Sequence, residues 1–256
     1  MSTVRIDPAQ VREIGFGHGP YFIFDDAAYS MEIEDLQLEK TLPEWKVPET
    51  FSTGLSRTKE LLASGKPLKI MALGDSITRV AGNKTYAHLM IPKIKERFGA
   101  DVTVTNQGIG GFTVRGGAII LPRALMATPD PDLVLIYFGA NDIRLVKDPA
   151  VFAAQIGDLV DRIRIGTKGK ADVLVLSGTP RGEGLDVGKI VAGTAQAAEA
   201  KQTGFCDTYP VFKALSIEEF KVCVPDGTHL GPAGQAKMAQ LVFDRISQLV
   251  AEPKKP

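Results

Sequence analysis

No surplus of charge marks this chain. Thirty lysines and arginines face 30 aspartates and glutamates, so no net field draws it to nucleic acid or to anionic lipid. A small or neutral molecule is the expected partner, with no nucleic acid. Long apolar runs are missing too: hydrophobic residues make up 44 % of the chain, yet none of its runs approaches the roughly 18 to 20 residues needed to cross a bilayer. No membrane span is therefore expected. Cysteine is reduced to Cys206 and Cys223, without C-x-x-C spacing, which excludes a disulfide framework and a cysteine zinc site. Both read as free thiols, with pairing open only in an oxidising compartment. Histidine is as scarce, at His18, His88 and His229. The first residues, Met1 to Pro8, lack the apolar segment of a secretory leader, so the expected location is cytoplasmic unless the sequence is a trimmed mature form. A length of 256 residues leaves room for a domain of roughly 180 residues with an appendage.

What is present is organised around Lys69 to Thr78. Ile70, Met71, Ala72 and Leu73 form a short apolar run that stops at Gly74, as a buried strand of a parallel sheet does. Asp75, Ser76 and Thr78 come at once after it. Taken alone, Gly-Asp-Ser is also ordinary turn composition. A serine just past the carboxyl end of a strand, however, lies where open α/β sheets bind their ligands.

Residues 1–66 do not share the pattern of the rest of the chain. Tyr21 to Phe24 is strand-like, and Met31, Ile33, Leu36 and Leu38 alternate with polar residues, so a β-rich N-terminal extension is expected. Thr41 to Pro48 reads as an extended connection, and Thr58 to Ser64 as a short helix closed by Gly65 and Pro67. From residue 67 to 250 strands and helices alternate, with a tail at 251–256. The pattern predicts a helix over Thr85 to Phe98 with a kink or late start at Pro92 and a strand over Asp101 to Thr105. A glycine-rich loop from Asn106 to Thr113 precedes a helical stretch around Leu121 to Met126. Asp132 to Phe138 is the most apolar strand and should lie centrally. Next come a helix through Phe152 to Ile163, a strand at Asp172 to Leu176, a helix at Val187 to Ala200 and a short strand at Phe205 to Asp207. The last helix starts near Pro232 and buries Met238, Leu241, Val242, Ile246 and Leu249. Such alternation implies right-handed crossovers and a mainly parallel sheet with helices on both faces.

Four loops then fall at one edge of the sheet, carrying Ser76, Gly111, Asn141 and the pair Asp226 and His229. Acyl transfer needs a nucleophile, a base, a group that orients the base, and donors for the oxyanion. Ser76 is the candidate nucleophile and His229 the base. Asp226, three residues before His229, can hold the imidazole tautomer. The oxyanion donors are the N–H groups of Ser76 and Gly111 and the side-chain amide of Asn141, with glycine at 111 admitting close approach of substrate to backbone.

On these residues the sequence resembles the SGNH (GDSL) hydrolase superfamily. Gly74-Asp75-Ser76-Ile77-Thr78 looks like the first family block, Asn106 to Thr113 like the second, Gly139-Ala140-Asn141-Asp142 like the third and Asp226 to His229 like the fifth. The resemblance covers roughly residues 67–250. It implies a flavodoxin-like three-layer α/β/α sandwich around a five-stranded parallel sheet, and ester hydrolysis without metal or other cofactor. The Gly-Asp-Ser-Ile-Thr form is similar to branches that act on acetyl and other short-chain esters, carbohydrate esters among them. Arg79-Val80 departs from many relatives, which carry glycine or a small polar residue there, and puts the pocket rim in doubt.

Other readings compete. Gly108 to Gly111 does not complete the G-x-G-x-x-G dinucleotide pattern. Asp75, Asn141, Asp142 and His229 have the chemistry of metallophosphoesterase ligands, but His18 lies in the extension and His88 inside a helix. Asp142 is expected to cap or brace its loop. Arg115, Arg144 and Arg181 sit near the crevice, where they meet an acidic substrate group or stay solvated. A lysophospholipase or thioesterase acting on longer acyl chains, and a non-catalytic carbohydrate-binding module on the same fold, are the alternatives in function.

Overall fold

Apolar residues alternate between two cores along every central strand of the computed structural model, which describes residues 46–80, 82–181 and 185–251. In β1 (Leu68–Gly74), Leu68, Ile70 and Ala72 face one core while Met71 and Leu73 face the other. In β3 (Leu133–Tyr137), Leu133, Leu135 and Tyr137 oppose Val134 and Ile136, and in β4 (Asp172–Leu176), Leu174 and Leu176 oppose Val173 and Val175. Side chains of a strand point to opposite faces in turn, so an unbroken apolar run is what a strand covered on both faces requires.

The first core is closed by α1 (Ser56–Ala63), α2 (Tyr86–Leu89), α3 (Ile91–Phe98) and α9 (Pro232–Ala251), through Leu61, Leu62, Tyr86, Ile94, Met238, Val242 and Ile246. The second is closed by α4 (Val114–Ala127), α5 (Pro149–Gly166) and α6 (Gly188–Ala200). With β2 (Val102–Gly108) and β5 (Gly204–Cys206) at the edges, the sheet order is β2-β1-β3-β4-β5 and every pair is parallel. This is the three-layer, five-stranded flavodoxin-like order, and its direction reverses between β1 and β3. The chain leaving β1 and the chain leaving β3 therefore diverge and open a crevice.

Local chemistry explains most boundaries. Pro92 lies in the first turn of α3 and divides the expected single helix into α2 and α3 at Met90, since a proline tolerated at a helix start cannot lie mid-helix without cost. Helix α4 begins at Val114, well before the expected stretch around Leu121, capped by the Thr113 hydroxyl, which accepts the Gly116 N–H at 3.3 Å. Gly116, Gly117 and Pro122 all lie inside it. Two further short helices, α7 (Tyr209–Lys213) and α8 (Ile217–Cys223), precede the final loop, the second opened by a Ser216–Glu219 capping box.

The expected strands at Tyr21 to Phe24 and around Met31 to Leu38 lie outside the described residues, as does His18. The described residues from Val47 to Ala251 form one compact unit that includes α1 and the sheet. Asp172, buried at the amino end of β4, accepts the N–H groups of Arg57 and Thr58 and the Ser52 hydroxyl, and Arg57 pairs with Asp132 at 3.2 Å. These bonds seat α1 at the edge of the sheet opposite the crevice. Cys206 and Cys223 are both buried and free. Among the described residues no helix is long and apolar enough to cross a membrane.

Candidate active site

The turn after β1 is wound around Asp75. Its main-chain carbonyl accepts the N–H groups of Thr78 and Arg79 at 3.1 and 3.0 Å, and its Oδ1 accepts the Ile77 N–H at 2.9 Å. An aspartate that bonds its own backbone two residues on makes a tight turn without glycine. The result is that Asp75, Ile77 and Thr78 point inward while Ser76 alone is half-buried at the crevice. Gln235 of α9 fastens the turn from behind, accepting the Tyr86 N–H at 2.7 Å and donating to the Ile77 carbonyl at 2.9 Å.

Opposite Ser76, the loop between α8 and α9 closes on the carboxylate of Asp226. Its Oδ1 accepts the N–H groups of Thr228 and His229 at 2.8 and 2.6 Å, and its Oδ2 lies 2.7 Å from His229 Nδ1. An ionised carboxylate only accepts, so the proton is on Nδ1, and the Nε2 lone pair faces Ser76 Oγ at 3.0 Å. Slight burial works to raise the Asp226 pKa. It is outweighed by the His229 and Thr228 hydrogen bonds, which bring it from 3.8 down to about 2. The three groups expected from the sequence thus stand in line as carboxylate, imidazole and hydroxyl, in a geometry able to move a proton off the serine.

The remaining two loops meet beside them. Asn106, at the end of β2, donates to the Thr78 carbonyl at 2.9 Å and accepts the Gly108 N–H at 2.9 Å, tying the glycine-rich loop to the serine turn. Gly108 packs so closely there that a Cβ would stand 2.5 Å from Arg79 N. Gly111 has φ +78°, a left-handed conformation that favours glycine, so the backbone itself demands this residue. Asn141, just past β3, donates its amide to the Phe112 carbonyl at 2.9 Å. The next residue, Asp142, accepts the Val114 N–H at 3.1 Å. Ser76, Gly111, Asn141, Asp226 and His229 are all at the carboxyl edge of the sheet, around the β1/β3 switch point.

Of the three arginines expected near the crevice, Arg115 and Arg144 are exposed, whereas Arg181 is half-buried and donates to the Ala140 carbonyl at 3.2 Å. Arg181 also lines a small cavity beside Asn141, with Ala140, Ile143, Thr179, Val187 and Ile190. Arg79, at the rim, lies alongside Gly110. His88 sits in α2, its Nδ1 2.8 Å from the Thr85 hydroxyl, away from the relay. Among the described residues no group of three or more histidine, cysteine, aspartate or glutamate side chains is arranged to hold a metal ion. The supporting roles of Asn106 and Gln235 are not evident from the sequence. Gln235 alone leaves a trace, as a polar residue on the apolar face that Met238 and Val242 continue.

A flavodoxin-like sheet with serine, histidine and aspartate aligned at its switch point has the groups that one class requires, the α/β hydrolytic enzymes. Within it, residues 72–237 match the model of the GDSL-like lipase/acylhydrolase family, and the chain belongs to that family. It is similar to an arylesterase of Vibrio mimicus, with 29 % identity over 188 residues, 72 % of this chain and 90 % of that protein. Among solved structures, a lipase/acylhydrolase from Enterococcus faecalis superposes with a TM-score of 0.60 at 22 % identity, over 74 % of this chain and 100 % of that one. A two-domain esterase active on acetylated mannans gives 0.64 at 24 % identity, over 83 % of this chain and 60 % of that one. The protein is a carboxylic ester hydrolase of the GDSL type.

Proposed function

We propose that the protein hydrolyses short-chain, chiefly acetyl, esters through an acyl-enzyme on Ser76. The observation that carries this reading is the unbroken line from Asp226 Oδ2 through the His229 ring to Ser76 Oγ, at 2.7 and 3.0 Å. As Ser76 Oγ attacks the ester carbonyl, its proton passes to His229 Nε2. The negative charge that forms on the carbonyl oxygen is met by the N–H groups of Ser76 and Gly111 and the Asn141 amide. Collapse expels the alcohol, which takes the proton back from His229 and leaves the acyl group on Ser76. Water then attacks the acyl carbon as His229 takes its proton, and collapse breaks the bond to Ser76 Oγ, which receives that proton from His229 as the carboxylic acid leaves. Asp226 keeps the ring in the required tautomer.

The choice of a short acyl group is supported by the form of the Gly74 to Thr78 turn and by the likeness to an esterase active on acetylated mannans. A carbohydrate hydroxyl is the alcohol that this likeness suggests. Ser76→Ala abolishes hydrolysis of p-nitrophenyl acetate while leaving the far-UV circular dichroism unchanged, and labelling by a fluorophosphonate disappears with it. Undiminished turnover in that variant sinks the reading. A series of p-nitrophenyl esters alongside acetylated mannan and xylan tests the acyl and alcohol preference, and a maximum at eight carbons or beyond would assign the enzyme to long-chain esters instead.

A further inference from the structure

The Gly111 and Asn141 loops come from different strands, and two hydrogen bonds join them. Asn141 Nδ2 donates to the Phe112 carbonyl at 2.9 Å, and the Val114 N–H donates to Asp142 Oδ1 at 3.1 Å. One bond runs in each direction, between 112 and 114 on one side and 141 and 142 on the other. We propose that Asp142 is a positioning residue of the oxyanion cradle, its buried carboxylate clamping the start of α4 so that the Gly111 N–H stays aligned with the Asn141 amide. The inference rests on the oxyanion role proposed for Ser76, Gly111 and Asn141.

Three observations support it. First, the clamp is rigid from both ends. Asp142 is 1 % exposed, and its carbonyl accepts the N–H groups of Leu145 and Val146, both at 2.8 Å, while the Ile143 N–H donates to the Gly139 carbonyl at 3.1 Å. Second, the bond falls where α4 needs it. The first N–H groups of a helix have no partner within the helix; Thr113 serves Gly116, and Asp142 serves Val114. A carboxylate at that end is also favoured by the helix dipole. Third, the residue is a costly choice for a cap. Burial pushes its pKa from 3.8 up to about 6 against the pull of the Val114 N–H, and its second oxygen is buried without a well-formed hydrogen bond. Expensive buried polar groups concentrate where function needs a fixed geometry.

The test compares kcat and KM for p-nitrophenyl acetate, with kcat normalised to sites labelled by a fluorophosphonate, so that unfolded molecules do not count. Asp142→Ala lowers kcat about 10- to 100-fold with KM within about twofold, the scale of a sub-ångström misplacement of catalytic groups. In an Asn141→Ala background the same substitution costs at least about threefold less, because part of what the clamp aligns is already gone. Val114→Pro deletes the donor and leaves Asp142 intact. Proline suits the first helical position, and Thr113 before it is already extended. That variant reproduces the loss in kcat and supplies the test should Asp142→Ala fail to fold. An equal loss in both backgrounds, a loss confined to KM, or an unchanged kcat overturns the inference. If Ser76→Ala keeps its activity, it is the underlying reading that has failed. If Ser76→Ala is dead and the losses are additive, only the role of Asp142 has.

Discussion

Asp75 stands directly behind Ser76, 0 % exposed, and its ionisation should be visible in the stability of the whole protein. Burial, reinforced by the Asp142 charge, pushes its pKa from 3.8 up to about 7, against the Ile77 N–H and the more distant Arg181. Between those two values the folded state holds a proton that the unfolded chain has released. Stability from this group is therefore greatest below about pH 4, falls as the pH rises to about 7, and is flat above that. The gap between the two values corresponds to roughly 4 kcal/mol in full, of which roughly 2 to 3 kcal/mol falls between pH 5 and pH 8. Asp75→Asn has the shape of the protonated acid, retains an oxygen for the Ile77 N–H, and does not titrate. Relative to the wild type, the variant should gain roughly 2 to 3 kcal/mol on going from pH 5 to pH 8.

The assay is urea unfolding followed by circular dichroism at pH 5, 6, 7 and 8, with midpoints converted by the common slope. Any fixed cost of the amide is the same at each pH and cancels in the comparison. Asp142 is present in both proteins, so its own titration drops out to first order. Parallel stability curves for the two proteins across this range would show that Asp75 does not change charge there. That result would refute the argument from burial.

The other predictions concern the parts that hold the site. Asn141→Ala lowers kcat on p-nitrophenyl acetate about 10²- to 10³-fold, the scale of one oxyanion donor; a loss of only a few-fold would remove Asn141 from that role. Gly108→Ala sets a Cβ 2.5 Å from Arg79 N and 2.7 Å from the Thr78 carbonyl carbon. It should cost about 2 kcal/mol or more in urea unfolding, in the range of overpacked sites, and lower kcat through the same turn. Gln235→Leu orphans the buried Tyr86 N–H and Ile77 carbonyl and should cost about 2 to 5 kcal/mol; a stability within about 1 kcal/mol of wild type contradicts the bonding described.

Legibility in the sequence depends on the range of the interaction concerned. The strands β1, β3 and β4 are plain because burial on both faces leaves continuous apolar runs at Ile70 to Leu73, Leu133 to Tyr137 and Val173 to Leu176. The start of α4 is not. Gly116, Gly117 and Pro122 all signal a break locally, and what overrides them is tertiary: the Phe138 ring packs so tightly on Gly117 that a Cβ would stand 2.5 Å from its Cζ. The site residues are legible for a similar reason to the strands. Each stands immediately beyond a strand or before the last helix, where topology alone brings distant segments together. Their supports are harder to read: bracing is expected of Asp142, but its partner Val114, like the Ile77 and Tyr86 partners of Gln235, follows no period. The sequence leaves Arg181 open between a substrate charge and solvent, and its guanidinium donates to the Ala140 carbonyl.

Three carboxylates sit around one serine, and their environments separate them. Asp226 is exposed and held down to about 2 by N–H groups of its own loop. Asp142 and Asp75 are buried and raised to about 6 and about 7. Near neutral pH only the first is ionised under every ordinary condition, and it is the one in contact with an imidazole. A carboxylate as desolvated as Asp75, with no histidine hydrogen bond to hold its pKa down, would instead lose its charge as the pH falls through about 7. Groups with diverging pKa values in one site take different roles. By that rule the proposed roles divide, Asp226 orienting the proposed base while Asp75 and Asp142 hold the turn and the loop junction around it. Exposure at the relay and burial beneath it are thus two halves of one arrangement: the proton path stays open to substrate, and the frame that aims it stays dry.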